Sequence, residues 1–353
     1  MRVIMLIDMD YFYVACEELR NKEVSTRPAI VGSDPKQGAG RGVVMTCNYV
    51  AREFGIRSGM PISMAYRLKP DALYLPLDYE YYESVSKKIM DRIRAFAGRF
   101  EQVSIDEAFI DVSEKIGGYA EAKDYADRIR SDVLGSVGIK CSIGVGPNKL
   151  IAKMACEKAK PNGVKVVRDG EVKGFLSESR IEDLYGVGAK TAERLRKIGY
   201  GTVEQLAGAD SMVLATNFGA SFGAELRAFA NGIDEREIVE NYDIKSISRE
   251  FTFEKDTDDA SEVKTAISRL SKDAMKDVEK NQVSFKTITL KLRYFDFSEH
   301  LHSRSVKATS SLDTVIRTAC ELYDENVDRS KKVRKIGVRV SGLVSYKGQK
   351  RFA

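Results

Sequence analysis

The chain has 353 residues, 43% hydrophobic and 31% charged, an ordinary composition for a soluble globular protein and a length that suits two to four domains. No apolar run approaches the roughly 20 residues that span a bilayer, and the first run meets Asp8 too early for a secretory signal, so a cytoplasmic protein without membrane association is expected. Five cysteines without metal-ligand spacing read as reduced thiols in small core positions, which argues against a disulfide scaffold or a zinc module.

Val3-Ile4-Met5-Leu6-Ile7, closed by Asp8, reads as a fully buried strand within residues 1–10. Residues 11–73 predict a small segment with a helix near 11–20, a short strand at Ala29-Ile30-Val31 and a glycine-rich turn at 38–42. From Leu73 to Val167 the pattern returns to strand and helix: helices near 78–97 and 118–134 flank a hairpin bearing Asp106 and Glu107, and a strand follows at 140–144. Strand, excursion, helix, hairpin, helix, strand is the order of a ferredoxin-like sheet.

Residues 168–232 lack strand signals and read as short helices. Two turns there, Leu184-Tyr185-Gly186-Val187-Gly188 and Phe218-Gly219-Ala220-Ser221-Phe222-Gly223, precede helical patterns, and their glycines would let backbone N–H groups approach a phosphate. Ordinary helix capping is the better account of a single such turn; two of them before a basic domain carry more weight. Asn231-Gly232-Ile233-Asp234 closes the helical region, and a polar tether runs to about Asp243. Residues 244–345 then read strand, helix (260–280), strand (285–296), strand (303–309), helix (311–326), strand (334–344), a second βαββαβ unit of ferredoxin-like type.

Charge divides unevenly along this order. The net charge is +5, yet residues 245–353 hold 23 Lys and Arg against 16 Asp and Glu, and the remainder holds 34 against 36. A basic terminal domain beside a balanced body suggests a surface for a phosphate backbone, with a merely solvated basic face as the plain alternative.

The chemistry concentrates in two acidic clusters, Asp8-Met9-Asp10-Tyr11-Phe12-Tyr13 and Val103-Ser104-Ile105-Asp106-Glu107-Ala108-Phe109-Ile110-Asp111. Carboxylates inside apolar sequence are costly unless a cation faces them. Oxygen donors without His or Cys nearby point to Mg²⁺ rather than zinc, and two Mg²⁺ ions on shared carboxylates form a clamp for in-line phosphoryl chemistry. A lone Asp after a strand is more often a turn or cap residue; two such sites are harder to explain that way. Asp-x-Asp after a first strand also occurs in phosphatases of the haloacid dehalogenase type, with Asp8 as nucleophile, but Phe12 stands where a Thr or Val is common there.

The motif Asp8-Met9-Asp10-Tyr11-Phe12-Tyr13 with Ser104-Ile105-Asp106-Glu107 resembles the Y-family DNA polymerases, in the short form of the DinB (DNA polymerase IV) branch like the archaeal members. The resemblance extends through Asn48-Tyr49-Val50-Ala51-Arg52, Gly59-Met60-Pro61, Gly144-Val145-Gly146-Pro147-Asn148-Lys149, Lys160-Pro161-Asn162-Gly163 and Lys245-Ser246-Ile247-Ser248, in the family's order and over nearly the whole chain. It implies an α+β, multidomain right-hand polymerase. The ferredoxin-like palm is residues 1–10 and 74–167, the small fingers 11–73 and the helical thumb with helix-hairpin-helix turns 168–232. A linker (233–243), a βαββαβ little finger (244–345) and a C-terminal tail (346–353) complete it.

The same resemblance implies the site. Asp8, Asp106 and the Met9 carbonyl would hold two Mg²⁺ ions with Glu107, which also serves catalysis by completing the ion beside the primer 3′-hydroxyl. Asp10 and Asp111 are assigned structural roles. Tyr49, Arg52 and Lys160 would grip the triphosphate of a deoxynucleotide, and Thr46 would add a hydroxyl contact. Tyr13, supported by Phe12, would be the steric gate against a 2′-hydroxyl. Val43, Val44 and Met45 would roof the templating base, Met45 being bulkier than usual. Lys149 and Lys153, four apart, would contact primer phosphates, and Gly186 and Gly188 would contact the duplex.

The implied enzyme is a monomer on primer-template DNA, of low fidelity, without proofreading, suited to translesion synthesis in DNA repair. A sliding-clamp contact stays open, since Gln349-Lys350-Arg351-Phe352-Ala353 carries only part of the usual Gln-led peptide. A non-catalytic DNA-binding scaffold is the alternative of another class; intact Asp8, Asp106 and Glu107 argue against it.

Overall fold

The computed structural model describes residues 1–240 and 242–345, so the Gln349–Ala353 segment lies outside the described residues. The chain divides into two compact units, residues 1–241 and 242–353. Both are α+β. Among the described residues no helix is long and apolar enough to cross a membrane.

The first unit opens with β1 (Ile4–Asp8), then α1 (Phe12–Arg20), β2 (Ala29–Gly32), β3 (Val44–Cys47), α2 (Tyr49–Glu53), α3 (Ile62–Leu68) and β4 (Leu73–Leu75). It continues with α4 (Tyr79–Phe96), β5 (Arg99–Gln102), β6 (Glu107–Asp111), α5 (Tyr119–Val137), β7 (Ser142–Gly146), α6 (Lys149–Ala159) and β8 (Val164–Val166). The main sheet has the order β5-β6-β1-β7-β8, with β1 antiparallel to both β6 and β7. This is the ferredoxin-like arrangement expected from the element order, extended by β8.

β1 is apolar on both faces because both faces are covered. Met5 and Ile7 pack with Ile89 and Ile93 of α4 and Ile129 and Val133 of α5. Ile4 and Leu6 pack with Phe109, with Ala152 and Cys156 of α6, and with Ile238. Helix α6 lies close because β7 has no side chain in its way: a Cβ at Gly144 would sit 2.0 Å from the Ala152 carbonyl oxygen. That approach brings the residues of α6 to the end of β1.

The excursion forms its own three-stranded sheet, β3-β2-β4, where the sequence predicts only one strand. β4 pairs in parallel with β2 from Ala29↔Leu73 to Val31↔Leu75, so the expected boundary at 73/74 falls inside this small sheet. Five short helices follow, as expected for 168–232: α7 (Val172–Ser177), α8 (Ala189–Lys197), α9 (Val203–Ala207), α10 (Ser211–Phe218) and α11 (Ala220–Ala230).

Residues 233–240 do not form the free polar tether read from their composition. Ile238 is buried, an arrangement worth about 1.5–3 kcal/mol for such a side chain. Buried Glu101 receives the Lys149 ammonium on its two oxygens at 2.6 and 2.7 Å and the Val239 N–H at 2.8 Å. Asp234 accepts the Leu150 N–H at 2.8 Å and pairs with Arg236. Ile238, the Val239 N–H and Asp234 together dock the segment.

The second unit comprises β9 (Ser246–Thr257), α12 (Ala260–Lys280), β10 (Val283–Tyr294), β11 (Glu299–Thr309), α13 (Leu312–Asn326), β12 (Val333–Ser341) and β13 (Val344–Ser345). The predicted βαββαβ string is present, but the sheet order is β11-β10-β12-β9, with β13 on β10. Among the described residues the first strand is here an edge, paired only with β12. The second ferredoxin-like assignment is therefore incorrect, because the element string is compatible with either strand order. Both helices pack on one face, through Val263, Ile267 and Leu270 of α12 and Val315, Ala319 and Leu322 of α13 against Ile288, Leu290, Leu292, Ile336, Val338 and Val340.

Candidate active site

The end of β1 gathers the predicted acids. Asp8 stands directly across from Glu107 on β6 and from Ser142 on β7. The Met9 N–H donates to the Asp106 carbonyl at 3.1 Å, which ties the residue after β1 to the hairpin turn. Ser104 shapes that turn: its hydroxyl bonds the Asp106 carboxylate and accepts the Glu107 N–H at 3.1 Å. The Ser-x-Asp-Glu spacing is the local signal for this turn.

Two lysines answer the charge. Lys160, at the C-terminal cap of α6, donates to Asp8 at 2.9 Å and to Glu157 at 3.0 Å. Lys153 pairs with Glu107 and lies 3.9 Å from Asp8. Burial pushes the Asp8 carboxyl up to about 6, against the pull of Lys160 and Lys153, and the charge of Asp106 adds to the rise. Burial works to lower the Lys160 ammonium, but Asp8 and Glu157 outweigh it and the net direction is upward. The cluster is thus short of positive charge: Asp8, Glu107 and Glu157 share two partly buried ammonium groups, and Asp106 adds a fourth carboxylate.

The donors Asp8, Asp106, Glu107 and the Met9 carbonyl are all hard oxygens, which fits a divalent cation of the Mg²⁺ type. Among the described residues no three Asp, Glu, His or Cys side chains already converge as a finished metal site. The lysines hold two of the carboxylates instead, so cation binding would require those ion pairs to yield.

A second feature points to an anion. Asn48, buried at the start of α2, accepts the N–H groups of Ala51 and Ala29 and fixes that short helix at β2. α2 then presents Tyr49 and Arg52 on one face, the guanidinium 4.7 Å from the Tyr49 ring. The Tyr49 hydroxyl and Arg52 Nε are buried without a hydrogen-bond partner among the described residues. Leaving such groups unpaired costs about 1–3 kcal/mol each unless a ligand satisfies them. Burial and then the charge of Asp10 raise the Tyr49 phenol, which keeps it a donor. Thr46 is buried near the end of β3, two residues before Asn48.

The aromatic triplet divides its tasks. Phe12 is in the core. Tyr11 packs edge-on against Tyr49 at 5.4 Å and donates to Glu18. Tyr13 is half-buried, with ring centroids of Tyr82 at 5.0 Å, Phe12 at 5.7 Å and Tyr79 at 6.2 Å, so its plane is backed by rings. Val43 is exposed, Val44 buried and Met45 half-buried on the small sheet.

Lys149 does not go where its spacing from Lys153 implied. It is 6% exposed and its ammonium is held by Glu101, so it is not presented to a primer phosphate. Lys153 turns instead into the carboxylate cluster. Gly186 adopts a left-handed φ of +85° and Gly188 caps α8; Gly219, also at +85°, precedes α11. Asp111 bonds Ser113 and takes no part in the cluster. Missed in the sequence are Ser142 and Arg130, and Asn162 enters there only as part of the Lys160-Pro161-Asn162-Gly163 motif, without a role. Asp10 accepts the Ser142 hydroxyl at 2.6 Å and the Asn162 N–H at 3.0 Å, and Arg130 holds Asn162 from α5.

Residues 7–157 match the impB/mucB/samB family, and residues 244–351 match the C-terminal domain of that family. The chain is 43% identical to DNA polymerase IV 2 of Methanosarcina mazei over 97% of its own length and 92% of that protein's. It is 42% identical to DNA polymerase IV of Methanoculleus marisnigri over 97% and 94%. Among solved structures it is similar to a Y-family DNA polymerase chimera of Dbh and Dpo4, with TM-score 0.90 and 30% identity, covering 97% of this chain and 99% of that one. An insertion ternary complex of Dbh DNA polymerase matches with TM-score 0.69 and 28% identity over the same shares.

Proposed function

From the premise that the chain belongs to the impB/mucB/samB family and is a DNA-directed DNA polymerase of the Y-family DinB branch, we propose that the β1–β6 acids perform two-metal nucleotidyl transfer on damaged templates. Asp8 and Asp106 would hold both ions, with the Met9 carbonyl helping to hold the nucleotide-side one and Glu107 completing the one beside the primer terminus. When bound, the pair would lower the pKa of the 3′-hydroxyl and offset charge on the leaving pyrophosphate.

The remaining steps belong to this chain's own residues. The Tyr49 hydroxyl and Arg52 donate to phosphate oxygens, which satisfies the groups now buried without partners. Lys160 leaves Asp8 for the triphosphate, exchanging one anion for another. Tyr13 forms the floor beneath the sugar, stiffened by Tyr82 and Phe12. Thr46 contributes a hydroxyl from β3, and Gly186 and Gly188 meet the duplex backbone; the second unit, taken by itself, offers its open polar sheet face to phosphates. Lys153 yields Glu107 to the ion and keeps its contact with Glu157. The enzyme acts as a monomer in the cytoplasm, with low fidelity and with Mg²⁺ as its metal.

The observation that carries this reading is a cation-poor carboxylate cluster at the end of β1 with unpartnered buried phosphate donors on α2, which Tyr11 joins to it by packing on Tyr49 at 5.4 Å. Primer extension on undamaged and abasic templates, with and without Mg²⁺, tests it. Extension of both templates only with the metal is expected. Failure on the abasic template alone would remove the lesion-bypass assignment, and extension without any divalent cation would remove the metal mechanism.

A further inference from the structure

The turn that follows Lys160 is held from two sides by residues distant in sequence. Asn162 has φ +49° and Asp10 has φ +38°, left-handed conformations that Asn and Asp tolerate better than other side-chain-bearing residues. The two face each other. Asp10 Oδ2 accepts the Asn162 N–H at 3.0 Å, and Asp10 Oδ1 accepts the Ser142 hydroxyl at 2.6 Å. The Ile143 N–H donates to the Gly163 carbonyl at 2.9 Å, which pins the far end of the turn to β7.

The other side is held by one guanidinium. Arg130 of α5 donates through Nη2 to the Asn162 carbonyl and, at 2.7 Å, to Asn162 Oδ1. Its Nε donates to the Cys141 carbonyl at 3.2 Å, and its Nη1 to Asp127 at 2.7 Å. The planar fork of Arg makes these contacts at once, which a lysine ammonium on a flexible stem does not reproduce. The backbone of the turn is thereby clamped between the loop after β1 and the helix behind the sheet.

Lys160 lies two residues before Asn162, and its ammonium reaches Asp8 at 2.9 Å. A long side chain places its charge only as well as its backbone is placed. We propose that Arg130, which touches none of the reacting groups, is a positioning residue for nucleotide capture: with Asp10 it fixes the Asn162 turn and so sets where Lys160 delivers its ammonium. This rests on the reading of Lys160 as a triphosphate contact. The competing account is that Arg130 only fastens α5 to β7.

A double-mutant cycle separates the two. The value of kcat/KM for a correct deoxynucleotide is measured on primer-template for the native chain, Arg130→Met, Lys160→Ala and the double variant, with melting curves for each. Positioning predicts a loss of about 10- to 100-fold in Arg130→Met, mostly as a higher nucleotide KM, the range expected for an ångström-scale misplacement. Primer-template affinity should not change. In the Lys160→Ala background the same substitution should cost less than about 2-fold, because its target is gone. Equal losses in both backgrounds would overturn the proposal and leave Arg130 a fastener.

Asn162→Gly covers the case in which Arg130→Met does not fold. It keeps the left-handed backbone and the carbonyl while removing Oδ1, and should give a smaller loss that also vanishes in Lys160→Ala. Persistence of that loss would count against positioning. An unchanged kcat/KM in Lys160→Ala would instead strike the triphosphate reading beneath it. A native chain that adds no nucleotide would strike the polymerase reading.

Discussion

The two large sheets share one element string, βαββαβ, and differ in where its first strand lies. In the first unit β1 is internal, with β6 on one side and β7 on the other. In the second unit β9 is an edge, and the inner strands are β10 and β12. An internal first strand has two neighbours at its C-terminal end, so Asp8 meets Glu107 and Ser142 across the ladder, and layers on both faces exclude water from the group. An edge first strand offers no such pocket. The second sheet is covered by helices on one face only, and the alternation of β10 and β12 places Lys291, Arg293, Lys335 and Arg339 on the other. One arrangement makes buried chemistry and the other makes an open surface.

Their charges are handled differently as a result. The acids of β1 and β6 sit among partly buried lysines and depend on them. The open face pairs Lys291 with Glu250 and Glu299, Lys335 with Glu250, and Arg293 with Glu299. Partly exposed pairs of this kind are worth about 0–1 kcal/mol, so a DNA phosphate can displace them.

Substitutions on the two sheets should separate along this line. Asp106→Ala should reduce nucleotide addition by about three orders of magnitude or more, since charge stabilisation of several kcal/mol goes with the ligand. Primer-template affinity and melting temperature should stay near native. Rates within a few-fold of native, in a variant shown by its melt to be folded, would break the assignment of chemistry to the first sheet.

Glu101→Ala should act on stability instead. It leaves the Lys149 ammonium buried without its carboxylate, a change that typically costs about 3–5 kcal/mol. Denaturant unfolding of the native chain and the variant checks this. If Lys149 were a phosphate contact after all, the variant would keep its stability, and Lys149→Met would flatten the salt dependence of DNA binding.

On the second sheet, replacing Lys291, Arg293, Lys335 and Arg339 together by Gln should weaken primer-template binding on all sequences alike. If each meets one phosphate, the log–log salt slope should become shallower by about 3.6. The rate at saturating DNA should hold. A fluorescence anisotropy titration across salt concentrations with an unchanged slope would mean that the duplex uses another surface.

The smallest effect concerns the sugar. Tyr13→Ala should relax discrimination against ribonucleotides by about 5- to 150-fold, the equivalent of roughly 1–3 kcal/mol of steric clash. Tyr13→Phe should match the native chain, because the ring backed by Tyr82 does the excluding. Matched deoxy- and ribonucleotide kcat/KM values decide it, with unchanged selectivity in the Ala variant leaving Tyr13 a packing residue.

What the sequence revealed follows the range of the interactions involved. Asp8, Asp106 and Glu107 were legible because an apolar run ends at one and a Ser-led turn presents the others. The strand order of the second sheet was not, since pairing between β9 and β12 joins residues some eighty apart and leaves the string unchanged. Lys149 was misread because i, i+4 spacing suggested a common exposed face with Lys153, while its partner Glu101 breaks the alternation of β5: Phe100 and Glu101 are both buried, the second beneath residues 237–239. Arg130 and Asn162 lie 32 residues apart with no local pattern linking them. Ile238 looked like linker because one apolar residue among charges carries no period.

The most direct test of the central claim counts cations. Mn²⁺ uptake is measured by electron paramagnetic resonance on the chain with a chain-terminated primer-template and the next correct deoxynucleotide, in native protein and in Asp106→Ala. Correction only for ions on DNA and on nucleotide in excess of the complex should leave two ions per native chain, one of them arriving on the bound nucleotide, and a clear deficit in the variant. Equal uptake by the two proteins would contradict the claim that the β1–β6 acids hold the metal pair.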